Sequence, residues 1–131
     1  METISVRTSS RNSFVEITQD VARVVNEKNW DNGILVVYTP HTTSAITINE
    51  NADPDVQADM NSFLSKLIPN LSEFRHNEGN SDSHIKSSLV GCSETIIVEN
   101  VQMVLGTWQG IYFCEFDGPR TRKVHLKFIK S

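Results

Sequence analysis

The run Ile34-Leu35-Val36-Val37-Tyr38 constrains the fold more than any other stretch of the chain. It is short, rich in β-branched residues and apolar at every position, which is the pattern of an interior strand covered from both sides. The remaining elements must supply that cover. At 131 residues the chain can build one core of real size but not two, so residues 1–131 are read as a single domain. Asp31-Asn32-Gly33 forms a turn before the run, and Pro40 ends it.

Several flanking segments alternate as half-buried strands do. In residues 2–8, Ile4 and Val6 face one side and Thr3, Ser5 and Arg7 the other; residues 43–49 and 123–129 follow the same period. Residues 95–98, 101–105 and 108–116, separated by short polar or glycine turns, predict a meander of neighbouring antiparallel strands, with the last strand closing the sheet. Between these strands the period changes to that of helices. Ser13-Phe14-Val15-Glu16 fits a capping box, and Phe14, Ile17, Val21 and Val24 then mark one apolar face of a helix ending near Asn29. Asp53-Pro54 reads as an N-cap with proline at N1, followed by Val56, Met60, Phe63, Leu64 and Leu67 as an apolar stripe ended by Pro69. A short helix over residues 82–90, stopped by Gly91, is expected to turn Ile85 and Leu89 inward. The class is therefore α+β: a compact, mainly antiparallel sheet or sandwich with two longer helices and one short one.

Charge and hydropathy narrow the function. A net charge of -4 and a pI near 5.5 give no basic face for nucleic acid, and alternation scatters Arg120, Arg122, Lys123, Lys127 and Lys130 over two faces. No apolar segment approaches the roughly 20 residues of a membrane span, and the N-terminus lacks a signal pattern, so no membrane partner and a cytoplasmic location are expected. Cys92 and Cys114 form no C-x-x-C motif and sit in apolar surroundings, as reduced buried thiols do.

Chemistry-bearing side chains concentrate from His41 to Asp55, where a strand leads polar groups into a helix start. If no bulge intervenes, His41, Thr43, Ala45, Thr47 and Asn49 share one face. His76 lies in the polar connection over residues 71–81, and His84 points away from Ile85 on the short helix. Neutral imidazole is a common ligand for zinc, copper or nickel, yet the spacing of these histidines matches no self-sufficient zinc motif. Alternatively His41 and His76 are turn residues and His84 is a solvated helix residue; His125 reads as structural. Asp53, Asp55 and Asp82 are explained as helix-start charges. Glu50 and Asp59 are not, and Asp59 sits about 40° from Phe63 at the stripe's border, where a carboxylate can face a cleft. Arg120, in the turn Asp117-Gly118-Pro119-Arg120, is either solvated or a fork donor to Asp117 or a substrate phosphate. Trp108 and Gln109 can line a pocket, although burial is the plainer reading for the tryptophan.

Three blocks taken together resemble the YjbQ-like family of small bacterial and archaeal proteins. They are His41-Thr42-Thr43-Ser44-Ala45 through Asn49-Glu50-Asn51-Ala52-Asp53-Pro54, Asn80-Ser81-Asp82-Ser83-His84-Ile85-Lys86-Ser87-Ser88-Leu89, and Leu105-Gly106-Thr107-Trp108-Gln109-Gly110 through Glu115-Phe116-Asp117-Gly118-Pro119-Arg120. The resemblance implies an α+β fold dominated by antiparallel strands, a homotrimer with polar pockets at or near subunit contacts, and a metal-like site on His41, His76 and His84. It also implies a secondary thiamine-phosphate synthase activity, joining a pyrimidine diphosphate to a thiazole phosphate with loss of pyrophosphate. The dedicated enzyme for that reaction is a TIM barrel, which needs roughly 200 residues or more, so any shared activity is convergent or incidental.

The expected function is that of a small-molecule enzyme, a metal-dependent transferase or hydrolase. Its divalent metal, zinc or similar, is held by His41, His76 and His84. Glu50 or Asp59 acts as base or supporting carboxylate, and Arg120 binds an anionic substrate. The other expected substrate contacts are Thr43, Ser44, Asn49, Asn80, Lys86, Trp108 and Gln109. The rival is a non-catalytic trimeric module that binds metal or ligand.

Overall fold

The computed structural model describes residues 1–131 and contains eight strands and three helices. β1 (Glu2–Arg7), β3 (Gly33–Tyr38), β5 (Ser93–Glu99), β6 (Gln102–Met103) and β8 (Thr121–Lys130) form one sheet in the order β1-β8-β3-β5-β6. β2 (Ser13–Glu16), β4 (Ser44–Glu50) and β7 (Gln109–Glu115) form a second sheet in the order β2-β7-β4. Every pairing is antiparallel. The inward rows of both sheets meet in one core, with Leu35, Val37, Val124 and Leu126 from the larger sheet and Ile46, Ile111 and Phe113 from the smaller. Alternation fixes which residues those are, because successive strand side chains leave opposite faces. Helix α1 (Thr18–Glu27) covers the core with Val21 and Val25. No helix is long and apolar enough to cross a membrane.

Tertiary pairing overrides several local patterns. The capping box does not form: Ser13–Glu16 is strand β2, paired from Ser13↔Glu115 to Glu16↔Tyr112, and α1 starts with Ile17 at an N-cap that has no side-chain bond. The Glu16 carboxylate instead accepts from Thr18 Oγ1 at 2.8 Å, and Thr18 Oγ1 accepts from the Ile111 amide at 2.8 Å. β3 is interior within its sheet, as expected, but covered on one face only. Leu35 and Val37 are buried while Ile34 and Tyr38 are exposed. The expected meander stops after the short β5–β6 hairpin, since β7 crosses to the other sheet between β2 and β4. β8 does not close an edge but inserts between β1 and β3.

The helices show the largest departures. α2 (Pro54–Leu67) starts as read, with the Asp53 side chain accepting from the Asp55 amide at 2.9 Å and proline in the first turn. Its stripe is not buried in this chain: Phe63 and Leu67 are exposed and no residue of α2 is fully buried. α3 (Ser81–Val90) packs on β4 with the opposite face from the one expected. Ile85 and Leu89 are 43% and 61% exposed, whereas Asp82, Ser83, Lys86 and Ser87 are buried. Directional bonds replace apolar contact there. Arg11 donates to both Asp82 oxygens at 2.9 and 3.0 Å, Ser83 Oγ donates to Phe116 O at 2.6 Å, and Lys86 Nζ donates to Asn12 Oδ1 at 3.1 Å. A buried charge is tolerated when paired and bonded in this way. The cysteines are free thiols; Cys114 is buried as expected, but Cys92 is exposed.

Candidate functional site

Three segments converge at one end of the three-stranded sheet. The first is the turn after β3. Thr39 is buried and shares a 2.7 Å bond between its Oγ1 and Ser44 Oγ, while Ser87 Oγ of α3 donates to Thr42 O at 2.6 Å. Residues 42–43 form a turn rather than strand, so His41 and Thr43 precede β4 and do not share its alternating face. The second segment is the loop into α3, where the rings of His76 and His84 lie edge to face with centroids 5.4 Å apart. The third is the loop from β7 to β8. There Arg120 donates to Asp117 O at 2.8 Å and to Asp117 Oδ2 at 3.0 Å, and Asn80 Nδ2 donates to the same carboxylate at 2.8 Å.

Between these segments lies an open cavity of about 450 Å³ whose one apolar lining side chain is Pro40. His41, Thr43, His76, Asn80, His84 and Arg120, all expected at a site, line it together. Pro40, Thr42, Glu78, Asp117 and Arg122 complete the wall. An adjoining cavity of about 580 Å³ shares His41 and His84 with the first and carries Ser44. Glu50, Asn49 and Gln109 belong to the far end of the β4–β7 pair, about 20 Å along the strand from Ser44. Neither they nor Asp59 and Trp108 line either cavity, and Trp108 is exposed rather than buried. Lys86 is 2% exposed and turned toward Asn12 and Phe116, away from both cavities. Within one chain these six side chains are therefore not brought to the histidines.

Arg122 lines the cavity although its strand position did not mark it as a site candidate. It is 3% exposed, and its guanidinium forms a two-pronged pair with the fully buried Glu115: Nε to Oε1 at 2.9 Å and Nη2 to Oε2. Nη2 also donates to Thr43 Oγ1 at 2.9 Å. Glu115 further accepts from Thr8 Oγ1 at 2.7 Å and from the Asp117 amide at 3.1 Å. Burial pushes the Glu115 carboxyl up, but the bonds from Arg122, Thr8 and Asp117 prevail and hold it below the usual carboxylate value. A signal was available in the strand period. Stepping back by two from the inward Leu126 and Val124 lands on Arg122, and an arginine on an inward face needs a buried partner.

The histidines differ in their commitments. His41 Nε2 accepts from the Lys123 amide at 2.9 Å, which fixes a neutral ring with its proton on Nδ1. Burial, then the charges of Arg122 and Arg120, hold His41 below the usual histidine value against the opposing pull of Glu115. His76 Nε2 lies 4.0 Å from a Glu78 carboxylate oxygen on a half-exposed loop. Three imidazoles on one wall suit a divalent cation in donor chemistry. As arranged, no three histidine, cysteine, aspartate or glutamate side chains form a metal-coordinating group. His125, on the outer face of the larger sheet, is held by Thr3 Oγ1 at 2.9 Å and stacks with Tyr38.

A family model described as "UPF0047 protein YjbQ-like" matches residues 2–131. Among relatives, a UPF0047 protein of Methanocaldococcus jannaschii is 55% identical over 124 residues, covering 95% of this chain and 90% of that protein. The UPF0047 protein YugU of Bacillus subtilis is 48% identical, covering 98% of each. Among solved structures, a YjbQ/UPF0047 protein of Clostridium acetobutylicum superposes with a TM-score of 0.95 at 52% identity, covering 98% of this chain and 100% of that one. A hypothetical protein of Aeropyrum pernix gives a TM-score of 0.93 at 36% identity with full coverage of both (100%).

Proposed function

The chain belongs to the YjbQ-like UPF0047 family, and from that premise we propose that its histidine-lined cavity is the site of a small-molecule enzyme acting on an anionic substrate. The carrying observation is that three histidines and two arginines from separate segments line a single cavity whose one apolar side chain is Pro40. Polar convergence of this kind suits chemistry on a charged group better than the binding of an apolar body. His76 and His84 would hold a divalent metal, zinc or similar, with His41 joining them once its ring leaves the Lys123 amide. When bound, that metal supplies Lewis acidity toward a substrate oxygen or a leaving phosphate. Arg120, half-exposed at the rim, would meet the incoming anion, and Asn80 and Thr43 would orient it. Glu78, beside His76, takes over the role of base in place of Glu50 and Asp59, which do not line the cavity within one chain. The reaction to test first is thiamine-phosphate formation from a pyrimidine diphosphate and a thiazole phosphate, since both substrates bring phosphate.

A homotrimer accompanies this reading. Ile97, Ile34 and Ile129 stand opposite one another across the outer face of the larger sheet, all exposed, with Phe63 and Leu67 exposed on α2. Apolar surface in register over three strands is what a subunit contact covers. The exposed free Cys92 suits the reducing cytoplasm. The engaged Nε2 of His41 favours one rival, a trimeric module that binds metal or ligand without catalysis. Metal analysis after loading with zinc, nickel or manganese, run beside His84→Ala, tests the proposal. It predicts bound metal in the wild type and loss in the variant; equally little metal in both overturns the metal mechanism. Thiamine-phosphate formation that survives in both His84→Ala and Arg120→Gln would assign that activity elsewhere. A stable monomer by light scattering would remove the trimer.

A further inference from the structure

We infer that the floor of this cavity is an oxyanion subsite in which Arg122 Nη1 receives a phosphoryl or carboxylate group of the ligand. This deepens the reading of the cavity as the functional site and rests on it. Three of the five guanidinium N–H groups of Arg122 are committed: one on Nε and one on Nη2 to Glu115, and the other on Nη2 to Thr43 Oγ1. Nη1 carries the remaining two and has no acceptor on the chain. Nor is it sealed in, because the only buried polar side-chain atoms without a partner are Ser13 Oγ and Asn80 Oδ1. Since Arg122 lines the cavity, Nη1 opens there. A buried guanidinium held by bonds from Nε and Nη2, with both Nη1 N–H groups uncommitted, is preorganised to donate from that nitrogen to an oxyanion, with little rotamer entropy left to lose.

Arg120 also has an uncommitted Nη1 but differs in burial. Its Nε and Nη2 are turned to Asp117, and its side chain is half-exposed to screening water. Two further features favour an anion beside Arg122. Asn80 is the N-cap residue of α3 and lines the cavity, and no side chain caps that helix, so the positive end of its dipole sits in the wall. His41 and Thr43, which line the same cavity, carry donor and hydroxyl groups that can complete the shell. The charged lining consists of Arg120 and Arg122 against Glu78 and Asp117, which cancel formally.

The test uses the isotope-labelled full chain and follows the guanidinium nitrogen signals of Arg122 by NMR during titration with inorganic phosphate and, separately, sodium acetate at matched ionic strength. The expected result is a saturable shift of the Arg122 Nη1 signals, with the stronger of the two ions identifying the ligand's group. Arg122→Lys keeps a charge for Glu115 but loses Nη1, and should weaken binding about tenfold or more; Arg120→Gln should weaken it no more than about threefold. No response of Arg122 to either ion, or wild-type affinity in Arg122→Lys, overturns the subsite. If Arg122→Lys does not fold, the wild-type titration decides alone. The outcome is separable from that of the enzyme reading: metal retention lost in His84→Ala without an Arg122 response defeats only the subsite, and a response without metal or turnover defeats only the enzyme.

Discussion

Replacing Glu115 with glutamine tests the electrostatic centre of the site most directly. The wild-type carboxylate is fully buried and accepts from Arg122 Nε and Nη2, from Thr8 Oγ1 and from the Asp117 amide. Glutamine keeps the shape but offers one acceptor oxygen instead of two, turns an N–H₂ toward donors, and leaves Arg122 as an uncompensated buried cation. Breaking one side of a buried pair costs about 3–5 kcal/mol. An unfolding entropy of roughly 2.1 cal/mol/K per residue gives about 0.28 kcal/mol/K for this chain, so the expected fall in Tm is about 11–18 °C. Calorimetry at fixed protein concentration measures it, which also holds any oligomer linkage constant. The pH dependence supplies a second check. Glu115 titrates lower in the folded chain than its unfolded value of 4.5, so its contribution is complete above that pH and is lost as pH falls through the folded value. The gap between wild type and Glu115→Gln should therefore be full at neutral pH and narrow below about 4.5. A Tm loss under about 3 °C, or a gap that widens on acidification, would refute the assignment of Glu115 as an ionised partner of Arg122.

Three further outcomes follow from the same geometry. Asp82→Ala strands both Arg11 and Lys86 and should cost about 3–5 kcal/mol, whereas Lys86→Met leaves Asp82 with its two Arg11 bonds and should cost under about 1.5 kcal/mol; urea unfolding measures both, and the reverse order would contradict the inward polar face of α3. Gly33→Ala would drive a Cβ into Ile129 O of the neighbouring strand, so a loss of about 1–3 kcal/mol is expected, and a neutral result would argue against the β3–β8 register. Nitrogen NMR at pH 7 should find His41 neutral with its proton on Nδ1; a protonated ring, or a proton on Nε2, would exclude the bond from the Lys123 amide.

The strands were legible because one short period decides each of them: Ile4 and Val6, or Val124 and Leu126, are inward wherever the strand pairs. The Asp53-Pro54 helix start was legible for a similar reason, its cap lying within two residues of its target amide. What the local pattern could not reveal depends on partners far along the chain. Ser13–Glu16 satisfies the capping-box rule, yet β7 offers it a full antiparallel ladder some hundred residues away. α3 shows the same effect in side chains. Ile85 and Leu89 mark its apolar face, but burying the opposite face becomes affordable once Arg11 and Asn12 meet Asp82 and Lys86 across more than seventy residues.

That inversion also bears on the site. An apolar contact would let α3 slide or roll at little cost, because hydrophobic burial has no direction. Hydrogen bonds from Ser83 to Phe116 O and from Ser87 to Thr42 O do have direction, and they tie the helix to the two other segments that build the cavity. His84 lies between those serines in sequence, so the bonds that orient α3 also set where its imidazole stands relative to His41 and the Asp117–Arg120 loop. The Glu115–Arg122 pair does the same from below, the carboxylate holding Thr8 and Asp117 and the guanidinium holding Thr43. The histidines could be picked out by clustering alone, whereas their fixed relation depends on buried polar pairs whose partners are contributed by separate elements. Charge at inward strand and helix positions is thus the sequence feature that marks this framework. Arg122 and Lys86 both carry it, but only Arg122 lines the cavity.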